Sequence, residues 1–100
     1  MFIAHVQFAV TPKDRQKALD TLLAEAPTVR GQTGCHLFLP FADPADATGV
    51  GLIQEWATAE DFARYTGTAG FAEVGQVLRP MMTAAPVSRR FSAELLESVA

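Results

Sequence analysis

Apolar and polar residues alternate in the N-terminal segment FIAHVQFAV, residues 2–10. One predicted face carries Phe2, Ala4, Val6, Phe8 and Val10, and the other carries Ile3, His5, Gln7 and Ala9. This period of two predicts strand 1. Over residues 13–26 the apolar residues recur at helical spacing instead, and Thr11-Pro12 before them is typical of a helix start. Helix 1 is predicted there, with an end or a kink at Pro27 because proline lacks a backbone N–H.

The rest of the chain continues these two patterns. Strands are predicted over residues 35–41, 50–56 and 86–91, and Pro40 favours an edge position or a bulge for the first of these. Helices are predicted over residues 59–66 and 71–82, the second bent or ended near Pro80. The tail after strand 4 is predicted to be a short helix capped by Ser92.

The resulting order is β-α-β-β-α-β, with its second helical region split. It predicts an α+β fold of the ferredoxin-like split βαβ type, with an antiparallel four-stranded sheet. A single domain over residues 1–100 is expected for this length, with residues 92–100 as a C-terminal tail. Helices on one face would leave Ile3, Ala9 and Ile53 uncovered on the other. A second copy is the simplest cover for such a face, which predicts a homodimer, the dimeric α+β barrel.

Composition argues against several classes of partner. Hydrophobic residues make up 49% of the chain and charged residues 19%, which suffices for a packed core. The net charge is −3 and no basic stretch occurs, so no nucleic-acid partner is expected. Cys35 is the single cysteine, which argues against a disulfide framework or a cysteine zinc cluster. The N-terminal segment has the pattern of neither a signal peptide nor a membrane span, so a soluble, cytoplasmic protein is expected.

An ordered set of motifs resembles the antibiotic biosynthesis monooxygenase domain of the dimeric α+β barrel superfamily. The set runs from Val10-Thr11-Pro12 through LFLPFADP and LIQEWATAEDFARYTGTAGF to VLRPMMTAAPVSRRF. Its most specific piece is Glu55-Trp56, followed by an acidic capping segment and by Phe71 after a turn of small residues. The resemblance implies a dimer with a pocket between helices and sheet in each protomer. It also implies, for some members, oxygenation of phenols or quinols by molecular oxygen without metal or flavin.

Departures from the family pattern disfavour haem, which other members degrade. The stretch FAEVGQV, residues 71–77, has no histidine where those members carry the axial ligand. Val6 stands where they carry asparagine, and the turn before Phe71, commonly histidine-bearing in the family, offers Tyr65 and Gly70. No cofactor and no metal ligand is therefore predicted. Val6 is assigned to the substrate-binding residues.

Aromatic residues are the candidate pocket walls. Trp56 either lines a cavity for a planar ligand or fills the core at the junction of strand and helix. Tyr65 is a candidate hydrogen-bond donor to a substrate oxygen, with a water-facing helix position as the alternative. Phe62 and Phe71 are core or wall residues. Arg79 is a candidate for orienting an anionic oxygen, or else faces solvent.

His36 is the candidate base, because histidine titrates near neutral pH. Alternation places it on the same face as Phe38 and Pro40. That face is the pocket side only if Leu37 and Leu39 lie on the open face of the sheet. The alternative is that His36 has no catalytic role and is either hydrogen-bonded within the protein or exposed to solvent.

The function predicted from these residues is a cofactor-free monooxygenase that oxidises a planar phenol or quinol with molecular oxygen. The predicted catalytic residues are Trp56, Tyr65 and His36, and the predicted substrate-binding residues are Val6, Phe62, Phe71 and Arg79. One alternative is a non-catalytic small-molecule-binding or stress-response protein. Another is an isomerase or cyclase, because the fold alone does not select a reaction. The sequence identifies neither substrate nor product.

Overall fold

The computed structural model describes residues 1–100 and has the predicted order of elements. The strands are β1 (Phe2–Ala9), β2 (Cys35–Ala42), β3 (Gly49–Trp56) and β4 (Val87–Ser92). The helices are α1 (Arg15–Arg30), α2 (Ala59–Thr66) and α3 (Ala69–Leu78), with 3₁₀ turns at Pro12–Asp14 and Arg79–Met81. The ferredoxin-like α+β prediction is confirmed, and the bounds of α2 are those predicted.

The four strands form one antiparallel sheet in the order β2-β3-β1-β4. The two central strands pair along their whole length, from Phe2 opposite Trp56 to Ala9 opposite Gly49. Pro40 lies on β2, an edge strand, as its missing backbone N–H predicts. This register fixes which side chains of neighbouring strands lie side by side.

The two faces of the sheet differ in their cover. The helix-facing side carries most of the buried core, including Ala4, Phe8, Phe38, Val50, Leu52 and Trp56. The opposite side, called the open face below, carries Ile3, His5, Gln7, Leu37, Leu39, Phe41, Ile53, Glu55, Val87, Arg89 and Phe91. Leu39 is 44% exposed and Val87 58% exposed, so apolar side chains on this face contact solvent in the monomer.

Helix α1 continues through Pro27 to Arg30, so it does not end at Pro27. The last turn has tertiary contacts that the sequence pattern does not show. Val29 is fully buried, and the Arg30 guanidinium donates twice to the Phe38 carbonyl, at 3.2 and 2.9 Å. These contacts outweigh the single intrahelical bond that proline cannot make.

Two threonines begin the helices that cover the sheet. Thr58 Oγ1 accepts from the Asp61 N–H at 3.1 Å, and Thr68 Oγ1 accepts from the Phe71 N–H at 3.3 Å. Each cap satisfies a backbone donor that has no partner within its helix. The caps fix where α2 and α3 start and therefore where Phe62 and Phe71 lie along these helices.

The predicted C-terminal helix is wrong. Residues 93–100 have no regular secondary structure, and Leu95, Leu96 and Val99 are exposed. A helix this short is stable only when an apolar face packs against the domain, and this segment buries none. No helix of the chain is both long and apolar enough to cross a membrane.

Candidate functional site

A cavity of about 210 Å³ lies between the helices and the helix-facing side of the sheet, and we call it the helix-side cavity. Val6, Leu52 and Gln54 form its floor on the sheet. Its walls come from the helices: Leu22, Phe62, Tyr65, Phe71, Val74 and Leu78. The lining also includes Arg79, Met82, Ser88 and Arg90. Enclosure by mainly apolar side chains with a few polar groups is typical of small-molecule sites.

A cluster of aromatic rings, in stacked and edge-on pairs, surrounds Tyr65 on one side of the helix-side cavity. Tyr65 stacks on Trp56 with ring centroids 5.3 Å apart and an angle of 19° between the planes. Phe71 meets Tyr65 edge-on at 5.4 Å, and Phe38 does so at 6.2 Å. Both stacked and edge-on arrangements are favourable for aromatic pairs. Tyr65 and Phe71 line the cavity, so this cluster gives it an aromatic wall.

Trp56 belongs to the core and does not line the helix-side cavity. Its side chain is fully buried, with Tyr65 and Phe62 between it and the open space. Its Nε1 donates to Gln54 Oε1 at 3.1 Å. Of the two interpretations of Trp56, the structure shows the core one, and it gives the ring a supporting position behind Gln54 and Tyr65.

His36 lies outside the cavity, which corrects its placement on the pocket side. β2 has an irregular register between Cys35, opposite Trp56, and Leu37, opposite Glu55. His36 is the extra residue of this bulge and is exposed. The bulge breaks the alternation on which the placement depended. Beyond it, Phe38 and Pro40 are buried on the helix-facing side, as the alternation requires.

Five predicted residues do meet around the cavity: Val6, Phe62, Tyr65, Phe71 and Arg79. Sequence reasoning missed Gln54 and Arg90. Alternation already placed Gln54 on the helix-facing side of β3. Arg90 lies opposite Ala4 of β1, so it shares that side. The signal for Gln54 was therefore a polar residue in an otherwise apolar row of β3, whereas Arg90 lies between Ser88 and Ser92 and has no such signal.

The electrostatics of the cavity are one-sided. Its charged lining residues are Arg79 and Arg90, and no aspartate, glutamate, histidine or lysine lines it. The Arg90 guanidinium lies 5.1 Å from the Phe62 ring centroid, a cation–π contact that holds it over the aromatic wall. The site therefore favours a ligand with an anionic or electron-rich oxygen.

The phenol of Tyr65 is protonated at neutral pH, so it is able to donate a hydrogen bond and is a poor base. Burial, with a smaller effect of the nearby Glu25 and Cys35 charges, raises its pKa to about 12. A buried phenol resists ionisation because the phenolate loses its hydration.

A second hollow of about 270 Å³ lies at one end of the open face, and we call it the open-face hollow. Gln7, Phe41, Gly51, Val87 and Asp43 are among its lining residues. It is less aromatic than the helix-side cavity. Nowhere in the chain do three or more histidine, cysteine, aspartate or glutamate side chains cluster as metal ligands would.

The chain thus combines a ferredoxin-like fold with a largely apolar cavity between helices and sheet. The family model described as "Antibiotic biosynthesis monooxygenase" matches residues 1–76. The chain belongs to this family. A search of curated proteins finds no match.

Solved structures share the whole architecture. A protein from Deinococcus radiodurans, provisionally assigned as an antibiotic biosynthesis monooxygenase, has a TM-score of 0.90 at 16% identity, covering 100% of this chain and 99% of its own. A similarly assigned protein from Caulobacter crescentus has a TM-score of 0.88 at 19% identity, covering 94% and 90%. Rv0793 from Mycobacterium tuberculosis has a TM-score of 0.87 at 12% identity, covering 97% and 98%. At these identities the likeness establishes the fold alone.

Proposed function

We propose that this protein is a cofactor-independent monooxygenase that oxidises a planar phenol or quinol in the helix-side cavity. Family membership supports the reaction class. The observation that carries the proposal is the lining of the cavity, where aromatic walls meet two arginines and no acidic side chain. Such a lining suits a flat aromatic ligand whose oxygen becomes negatively charged.

The chemistry begins with the substrate anion. A phenolate or enolate is electron-rich enough to reduce molecular oxygen, so the protein must stabilise that anion. The positive charges of Arg79 and Arg90 lower the pKa of a phenol bound beside them. No base lines the cavity, so the phenolic proton leaves to solvent. The ring carbon that is a methylene in the keto tautomer of the phenol is then oxidised to a carbonyl. Its two C–H bonds are replaced by C=O, one atom of O₂ enters the product, the other leaves as water, and the substrate is the reductant.

The aromatic wall has a separate task. Stacked rings of Tyr65 and Phe71 offer a flat apolar surface that orients the substrate and keeps water from the reactive carbon. The neutral Tyr65 phenol adds no negative charge that would oppose the substrate anion. Ser88 is a further polar group in the lining.

We also propose that the protein is a homodimer through the open face. Ile53 and His5 lie opposite each other on the central strands, and Leu39 and Arg89 flank them. This row is central on a sheet face that no element of the chain covers. A two-fold partner would bury it and also close the open-face hollow.

Oxygen uptake tests the proposed reaction. Metal-stripped protein is incubated with anthrones, naphthols and quinols, and oxygen consumption is followed with an electrode. We expect uptake that survives chelator treatment and falls at least tenfold in Arg90→Gln. Arg64→Gln is the matched control, since Arg64 is an exposed α2 residue paired with Asp61 at 2.8 Å. Uptake that disappears on metal removal would contradict a cofactor-free mechanism.

A non-catalytic small-molecule-binding protein is the second candidate, and one observation favours it. The cavity contains no group that titrates near neutral pH, so it has no general acid or base of ordinary strength. The same observation disfavours an isomerase or cyclase that works by proton abstraction. Tight binding of the panel compounds with no oxygen uptake would select the binding protein.

A further inference from the structure

Gln54 is the one buried polar side chain of the core, and half of its amide has no partner in the protein. It is 4% exposed, whereas its neighbours on the same face of β3, Val50, Leu52 and Trp56, are apolar or aromatic. Its Oε1 accepts from Trp56 Nε1. No protein group accepts a hydrogen bond from its Nε2. Every fully buried side-chain nitrogen or oxygen of the structure has a hydrogen-bond partner, so Nε2, which has none, is not fully buried. Nε2 therefore faces the helix-side cavity, which Gln54 lines.

The orientation of this amide is fixed by chemistry. An indole Nε1–H can only donate, so the atom that it contacts must be the carbonyl oxygen of the glutamine. The opposite orientation would place N–H against N–H. The cavity floor therefore presents the N–H donors of Nε2 at this position, while the carbonyl oxygen is turned towards Trp56.

A structural role alone does not account for a glutamine here. The Trp56 indole needs one acceptor, but glutamine also brings two donors. No protein group accepts from them, so their acceptor must come from the cavity, as water or as a ligand. Ala4 lies beside Gln54 on β1, and Arg90 lies on the far side of Ala4 in the same row. Gln54 and Arg90 both line the cavity, so an amide donor and a guanidinium donor reach it from the same cross-strand row.

We propose that Gln54 is a ligand-binding residue whose Nε2 donates to an acceptor oxygen, a carbonyl or phenolate, at the floor of the cavity, with Trp56 as the positioning residue that holds the amide in this orientation. The inference rests on the proposed function only in placing the ligand in the helix-side cavity. A ligand with an N–H or a hydrocarbon edge at this point would leave the amide donors unpaired.

The test uses 1-tetralone and tetralin, two probes that differ in one carbonyl group. The side-chain ¹⁵N resonance of Gln54 is assigned by its loss in Gln54→Met, and both probes are titrated into the full-length protein. We expect a saturable shift of the Nε2 resonance with tetralone and a much smaller one with tetralin. Equal responses to both probes, or none, would overturn the proposal. This readout needs only the wild-type fold.

Affinities from calorimetry give the second measurement. The ratio of the tetralin to the tetralone dissociation constant should fall about tenfold in Gln54→Met, the usual size for one hydrogen bond. Gln76→Met, an exposed change on α3, should leave the ratio unchanged. An unchanged ratio in Gln54→Met overturns this inference even if oxygen uptake is found. A changed ratio without uptake supports the inference and rejects the monooxygenase.

Discussion

The single tyrosine of this chain makes an alkaline stability prediction unusually direct. Burial raises the pKa of Tyr65 from its ordinary value of 10.0 to about 12. Between these two pH values the folded chain keeps a proton that the unfolded chain has lost, so stability falls as pH rises. Below pH 10 the phenol is protonated in both the folded and the unfolded chain, so the stability of the fold is undiminished there. At about 1.36 kcal/mol per pKa unit, the loss on passing pH 12 is on the order of 2 to 3 kcal/mol.

Urea unfolding of wild type and Tyr65→Phe at a series of pH values measures this loss. Phenylalanine keeps the stacked ring but cannot titrate, so the difference between the two proteins isolates the tyrosine. Burial also raises the pKa of Cys35, so ionisation of its thiol lowers the stability of the fold at high pH as well. Because both proteins contain Cys35, its effect cancels in the difference between them. We expect the two curves to diverge between pH 10 and 12. Parallel curves, or a phenolate absorbance that appears near pH 10 in the folded protein, would refute the reasoning and reopen Tyr65 as a base.

Three further changes test the packing, capping and assembly. Phe38→Ala removes a fully buried ring that meets Tyr65, and should cost about 3 to 5 kcal/mol in urea unfolding. Thr58→Ala removes the cap of α2 and should cost about 1 kcal/mol in the same assay, whereas a cost near zero would show that the cap is not formed in solution. Ile53→Lys puts a charge at the centre of the open face and should convert a dimer to a monomer in sedimentation, while a wild type that already sediments at 10.8 kDa contradicts the dimer.

Much of the fold could be predicted because it depends on local patterns. The period of two in β1 and β3 and the capping threonine of α2 each indicate an element without reference to the rest of the chain. Pro27 shows where this logic fails. Its helix continues because Val29 and Arg30 contact other elements, and those contacts exist only after folding.

The site was less predictable, for physical reasons that differ by residue. The alternation that located Phe38 cannot indicate a bulge, and one extra residue put His36 into solvent. The sequence allowed Trp56 either at the cavity wall or in the core, and only the packing of Phe62 and Tyr65 against it decides for the core. Gln54 was overlooked because its importance depends on which atom faces Trp56, which is a matter of three-dimensional geometry.

The position of a bound aromatic ligand tests the central claim most directly. Methyl NMR spectra are recorded with increasing 1-naphthol, whose ring current shifts the methyl groups that it contacts. We predict saturable shifts for Leu22, Val74 and Met82, which line the helix-side cavity, and none for Ala84 or Val87, which line the open-face hollow. Shifts confined to Ala84 and Val87 would contradict the account and place the ligand on the other side of the sheet.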